Sequence, residues 1–218
     1  MHGYTSLAVC TLAVNWTLAL LALLALLAVV AICWVGFELP PRRPGLDDIL
    51  VVAAFLVGLV LVALSTWALV DEGLGRHQRD VAAPRVEAAA KSVLVSEALW
   101  TLTTALLRIA AGLFTRRVFR PAAPLARRLT VAVMVLSAAL AAASVVQVFA
   151  ICRPLAAQWD PRVRGACGDQ AVSFLVLEAL GLLLDIGVLA VPCVVIVKLR
   201  LPVGTRVASA LIANIGAV

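Results

Sequence analysis

Five long runs of apolar residues, separated by short polar segments, dominate this sequence. Each run is long enough to cross a lipid bilayer as a helix, for which about 20 consecutive apolar residues suffice. Hydrophobic residues make up 64% of the 218 residues and charged residues only 14%, against about 25% in an average soluble domain. Because so few polar side chains cannot cover a water-facing surface, we predict an all-α fold, a polytopic transmembrane helix bundle in contact with the lipid bilayer.

The apolar runs define the predicted spans within a single transmembrane domain covering residues 1–218. A sixth run starts near Val207 and stops with the chain at Val218, too short to cross at about 1.5 Å per residue. We therefore expect a truncated chain with five complete spans and part of a sixth. A signal peptide is the alternative for the first run, but no Lys or Arg precedes Leu12 and the run is too long. The predicted helices cover residues 12–37, 49–70, 84–118, 129–151, 171–197 and, incompletely, 207–218.

The distribution of basic residues predicts the orientation. Loops 1–2, 3–4 and 5–6 together carry ten Lys and Arg residues, and loops 2–3 and 4–5 carry seven. Loops rich in Lys and Arg stay in the cytoplasm. We therefore predict a multi-pass protein of the plasma membrane with an extracytoplasmic N-terminus. Membrane topology explains the net charge of +6 better than nucleic-acid binding, so no nucleic-acid partner is expected.

Two cysteines flank the loop between the fourth and fifth spans. In the predicted orientation Cys152 and Cys167 face the oxidising side of the membrane, where disulfides form and persist. A bridge between them would stabilise the fold by roughly 3 kcal/mol in a chain-entropy model. The alternative is two unpaired thiols at helix ends. No Cys/His spacing is typical of a zinc site, and no metal is expected.

Four ionisable residues lie inside apolar runs. Glu97 and Arg108 share a face of the third helix, and Glu178 and Asp185 share a face of the fifth. Intramembrane charges usually face the bundle interior and find partners. Since the two helices run in the same direction, we predict an Arg108–Asp185 ion pair, with Glu97 and Glu178 lining a polar cavity nearer the outside. The alternative places Glu97 at the interface and lets Arg108 snorkel to water.

Two further segments have distinctive compositions. The fourth run is rich in Ala and Ser, which allow close helix packing, and this predicts a central position for that helix. The loop predicted between the third and fourth spans, Arg116–Arg128, contains five arginines. A cytoplasmic partner or anionic lipid would fit this loop, although fixing the topology would also account for it.

Several short strings resemble the fungal rhodopsin-domain integral membrane proteins, a seven-helix family similar to G-protein-coupled receptors. Some members carry an extracellular CFEM domain; no such Cys-rich segment precedes the first run. The order and spacing of the strings match over about residues 16–218. The strings are Asp47-Asp48; Gly73, Gly75 and His77; Arg116-Arg117-Val118-Phe119; Cys152-Arg153-Pro154 with Trp159 and Cys167; Asp185 and Pro192; and Leu199-Arg200-Leu201-Pro202.

The chain also departs from the pattern that the resemblance implies. Ile49 replaces a Trp after the aspartate pair, Arg108-Ile109-Ala110 replaces a Lys-x-Ser, and Gly181 replaces an Asn before the helix-five aspartate. Retinal would need a buried lysine for its Schiff base, whereas Lys91 and Lys198 both lie at helix ends. We therefore expect no retinal and no other cofactor.

The resemblance and the intramembrane charges together indicate the function. A receptor-like protein that senses an extracellular ligand is our first interpretation. A transporter or channel is the alternative, because intramembrane acids suit proton or cation pathways; no repeated half or broken helix pair accompanies them. No catalytic constellation is present, so we expect no enzyme. A non-functional truncated fragment is the remaining interpretation.

Overall fold

The computed structural model describes residues 6–35, 45–72, 82–118, 124–160 and 162–198. These residues form five long helices, all long and apolar enough to cross a membrane. The all-α prediction is thereby confirmed, and the predicted sixth run at 207–218 lies outside the described residues. The helices are α1 (Ser6–Val35), α2 (Leu46–Val70), α3 (Ala83–Val118), α4 (Pro124–Ala150) and α5 (Gln170–Lys198).

The connection between α3 and α4 is shorter than predicted. Helix α4 begins at Pro124 rather than at residue 129, because proline fits the first turn of a helix, where its missing N–H is not needed. Helix α3 ends with Arg116 and Arg117 in its last turn, where positive charge is favoured by the helix dipole. Most of the predicted arginine-rich loop is therefore helical.

Among the five described helices, α3 rather than the predicted α4 has the central position. Helix α3 packs against α2, α4 and α5, while α1 packs on α2. The side chains of Asn15 and Trp16 on α1 donate hydrogen bonds to Ser65 and Thr66 on α2, at 3.5 and 3.1 Å. These contacts join the beginning of α1 to the end of α2, so the two helices are antiparallel.

The small residues of α4 are divided between two faces, which explains the error. Ser137 and Ser144 are buried, and their hydroxyls donate hydrogen bonds to carbonyl oxygens one turn earlier in α4. Ala138 and Ala142, by contrast, are exposed on the outward side. Only about half of the small residues therefore contact protein, and composition alone does not show which half.

The segment between α4 and α5 forms a small folded cap at one end of the bundle. Strand β1 (Cys152–Arg153) pairs antiparallel with β2 (Ala166–Cys167), with Cys152 opposite Cys167. A 3-10 helix, Leu155–Gln158, follows β1. We call this end of the bundle, with residues 152–169, the disulfide end, and the opposite end, with the start of α2, the end of α3 and the start of α4, the arginine end.

The two faces of α4 generate a first prediction. Ser137→Leu places a large side chain at a position with 0% exposure, and overpacking of this kind typically costs about 1–3 kcal/mol. We expect a lower melting temperature in detergent than for the wild type. Ala138→Leu is the matched control, since its side chain points outward and should leave the melting temperature unchanged. Equal effects of the two substitutions would contradict the assigned faces.

Candidate functional site

A two-bond ion pair joins α3 to α5 in the middle of the bundle. Arg108 Nε donates to Asp185 Oδ1 at 2.7 Å, and Nη2 donates to Oδ2 at 3.0 Å. Both carboxylate oxygens are thus engaged, in the geometry that arginine favours. The Arg108 side chain is 11% exposed and that of Asp185 is 49% exposed. The structure therefore brings together the two residues expected to pair, and the pair is open on its carboxylate side.

A glycine on α5 provides the space for the guanidinium group. A Cβ atom at Gly181 would lie 3.1 Å from Arg108 Nη2, closer than ordinary van der Waals contact. Gly181 is itself buried, one turn before Asp185. The Arg108 side chain therefore rests directly against the α5 backbone, and a larger residue at 181 would displace it.

A second polar contact joins the same two helices nearer the disulfide end. Trp100 Nε1 donates a hydrogen bond to Glu178 Oε1 at 3.1 Å, and Glu97 lies about one turn before Trp100 on α3. The role of Trp100 was not predicted from the sequence, although an indole N–H in an apolar run normally needs an acceptor. We call these residues the α3–α5 seam: Glu97, Trp100 and Arg108 on α3, and Glu178, Gly181 and Asp185 on α5.

A small cavity continues the contact between α3 and α5 toward the arginine end. It measures about 10 Å³, roughly the space of one water molecule. Its position is far from Glu97 and Glu178, so the ligand cavity expected beside those two residues stays a prediction. The lining residues are Gly112, Thr115, Thr130, Val133, Val188 and Val191.

A charged cluster at the arginine end joins α3 to α2. Arg117 Nη1 lies 3.2 Å from Asp47 Oδ1 and 3.8 Å from Asp48 Oδ2. The acids lie at the N-terminus of α2 and the arginine at the C-terminus of α3, so each charge also complements the dipole of its own helix. Asp47 is buried, with a side chain only 9% exposed. We call Asp47, Asp48 and Arg117 the α2–α3 clip.

The α2–α3 clip also rests on a glycine. The backbone N–H of Gly45 donates a hydrogen bond to Asp48 Oδ2 at 2.8 Å. A Cβ atom at this position would overlap the Asp47 carboxylate and lie 2.5 Å from Arg117 Nη1. The sequence named both acids and Arg117 as motif residues, but gave no reason to assign a role to Gly45.

The disulfide end holds the motif residues of the segment between α4 and α5. Cys152 and Cys167 form a disulfide bond, and the peptide bond before Pro154 is cis. The ammonium group of Lys91, on α3, lies 5.2 Å from the centroid of the Trp159 ring, a distance at which a cation and an aromatic face attract. This contact connects the cap to α3.

Four other motif residues lie in α5 or outside the described part of the chain. Helix α5 continues through Pro192 to Lys198, and the kink expected there stays a prediction. Gly73, Gly75 and His77 lie outside the described residues.

Comparison with known proteins identifies the family. The family profile described as "Fungal rhodopsin domain" matches residues 38–218. The chain belongs to the fungal rhodopsin domain family. No curated protein and no solved structure matches the chain. With five helices able to cross a membrane, this member is a multi-pass helical membrane protein whose outer faces contact lipid.

The Arg108–Asp185 contact generates a second prediction. Asp185→Leu leaves an arginine that cannot lose its proton, and we expect the free energy of unfolding to fall by about 3 kcal/mol, because an unpaired charge in the middle of a span is costly. Arg108→Leu should cost less, since an isolated carboxyl group can take up a proton. The double variant should recover most of the loss.

Unfolding the wild type and the three variants with increasing concentrations of a denaturing detergent measures these free energies. Glu87→Gln is the matched control, because the Glu87–Lys91 pair is exposed on both sides and its loss should change stability by less than about 0.5 kcal/mol. Additive effects of the two Leu substitutions would show that the contact contributes no coupling energy.

A third prediction concerns the α2–α3 clip. Gly45→Ala forces the Asp47 carboxylate and the Arg117 guanidinium apart, so we expect a loss of about 1 kcal/mol in unfolding free energy. Arg117→Gln should then cost less in the Gly45→Ala background than in the wild type. Gly58→Ala is the control, since its Cβ atom would meet Thr103 at an ordinary 3.8 Å. Equal costs of Arg117→Gln in both backgrounds would rule out this role for Gly45.

Proposed function

We propose that this fungal rhodopsin domain protein is a receptor-like, non-enzymatic membrane protein that senses an extracellular ligand. In the proposed arrangement it lies in the plasma membrane with its N-terminus and its disulfide end outside. The α3–α5 seam then extends from the outer half of the membrane toward its middle. A ligand acting on the outer part of the seam would change how α3 and α5 contact each other.

The open Arg108–Asp185 pair is the observation that carries this proposal. A receptor needs two arrangements of its helices whose relative populations a ligand can change. A pair with one nearly buried and one half-exposed partner supplies a contact that is strong when made and accessible to a competing group. The Trp100–Glu178 hydrogen bond lies along the same helices nearer the disulfide end, so the two contacts depend on the same helix–helix distance.

The charge balance of the seam favours one alternative, a proton or cation transporter. Three acids, Glu97, Glu178 and Asp185, accompany a single arginine in the seam, and intramembrane acids often mark ion pathways. The two functions differ in a measurable property, because a transporter moves ions across a sealed vesicle and a receptor does not.

A fourth prediction tests the proposal with two measurements. Liposomes that contain the purified chain should show no proton or potassium flux above that of empty liposomes. Spin labels at Val95→Cys and Val176→Cys, both exposed positions near the disulfide end of α3 and α5, should report one α3–α5 distance in the wild type. Asp185→Asn should add a second, longer distance, because a neutral amide holds the guanidinium less strongly.

The labelled protein carries Ser at Cys10, Cys33 and Cys193, so that no native cysteine outside the Cys152–Cys167 disulfide takes up a label. Asp169→Asn is the matched control, because Asp169 accepts a hydrogen bond from the Val172 N–H at the start of α5 and asparagine preserves that role. Specific ion flux would favour the transporter, and one unchanged distance in Asp185→Asn would refute the two-state seam.

A further inference from the structure

We propose that the arginine end binds the phosphate groups of anionic phospholipids. The binding surface consists of Arg116 at the end of α3 and Arg127 and Arg128 at the start of α4, and we call it the arginine surface. This inference is independent of the receptor proposal, since it concerns the opposite end of the bundle from the disulfide cap.

Packing between α3 and α4 places these arginines at one level. Thr115 on α3 and Thr130 on α4 line the same small cavity, so the two helices are in register at these residues. Arg116 directly follows Thr115, and Arg127 lies three residues before Thr130, about 4.5 Å along the helix. All three arginines therefore lie within about one helical turn of this shared level.

This level lies at one end of the apolar spans of α3 and α4, where we place the boundary of the membrane. The apolar span of α4 covers Leu125–Ala150, so Arg127 and Arg128 lie in its first turn. Both side chains are exposed. Long basic side chains in this position extend their charged groups to the headgroup region. The charges are thus held at the depth of lipid phosphates, rather than out in the aqueous phase where a soluble protein partner would bind.

The described residues provide no negatively charged partner for the arginine surface. Among the described residues, Arg116, Arg127 and Arg128 make no ion pair or hydrogen bond through their side chains. The first turn of α4 contains no acid, and two positive charges near a helix N-terminus are disfavoured by the helix dipole. The two acids that the structure describes at this end, Asp47 and Asp48, face Arg117 instead.

Phosphate chemistry fits this surface. Guanidinium groups bind phosphate oxygens through pairs of parallel hydrogen bonds. An anion between the start of α4 and the end of α3 would also complement the positive end of the α4 dipole. Each basic residue near an anionic membrane contributes about 1 kcal/mol, so loss of Arg127 and Arg128 together should weaken binding by about thirtyfold.

Native mass spectrometry of the purified full chain in detergent tests the proposal. Phosphatidylserine is titrated against phosphatidylcholine, and the bound fractions give apparent dissociation constants. We expect the wild type to prefer phosphatidylserine and Arg127→Gln/Arg128→Gln to lose this preference. Arg127→Lys/Arg128→Lys should retain part of it, since lysine keeps the charge without the paired hydrogen bonds.

Arg162→Gln/Arg164→Gln is the matched control, because it removes two exposed arginines from the disulfide end and should leave the preference unchanged. Equal losses in the two Gln variants would overturn the proposal, as would displacement of phosphatidylserine by inorganic phosphate at the same concentration. If Arg127→Gln/Arg128→Gln does not fold, the salt dependence of phosphatidylserine binding by the wild type tests the proposal. We expect binding to weaken as the salt concentration rises from about 0.05 to about 0.5 M. Binding that does not depend on salt would overturn the assignment.

Discussion

Hydrocarbon solvates apolar side chains about as well as a protein interior does, so the helices of this protein need more than the hydrophobic effect to stay together. Helix α3 meets this need with polar contacts to its neighbours. Arg108 binds Asp185 on α5, and Arg117 binds Asp47 on α2. Each guanidinium rests against a glycine, Gly181 in one case and Gly45 in the other, where any side chain would intrude.

The spans were predictable from the sequence because lipid imposes a simple length requirement on each helix. The expected proximity of Arg108 and Asp185 needed only one further argument, that alternate helices run in the same direction, which places the two residues at similar depths. The Cys152–Cys167 contact follows from similar reasoning, since both residues end the same short loop.

Which helix faces meet was harder to predict. Between Leu129 and Val146 helix α4 is apolar or small on all sides, so nothing in its pattern distinguishes Ser137, which is buried, from Ala138, which is exposed. The roles of Trp100 and Gly45 were missed for a related reason. Each contacts a residue more than 60 positions away, and no local pattern encodes such a partner.

The spacing of the two arginines on α3 has a mechanical consequence. Arg108 and Arg117 are nine residues apart, or about two and a half turns of a helix with 3.6 residues per turn, so they project from opposite sides of α3. Rotation of α3 about its long axis would displace both guanidinium groups at the same time. It would therefore weaken the ion pair with Asp47 on α2 and the ion pair with Asp185 on α5 together. Torsion of this one helix would therefore transmit a disturbance from one flank of the bundle to the other.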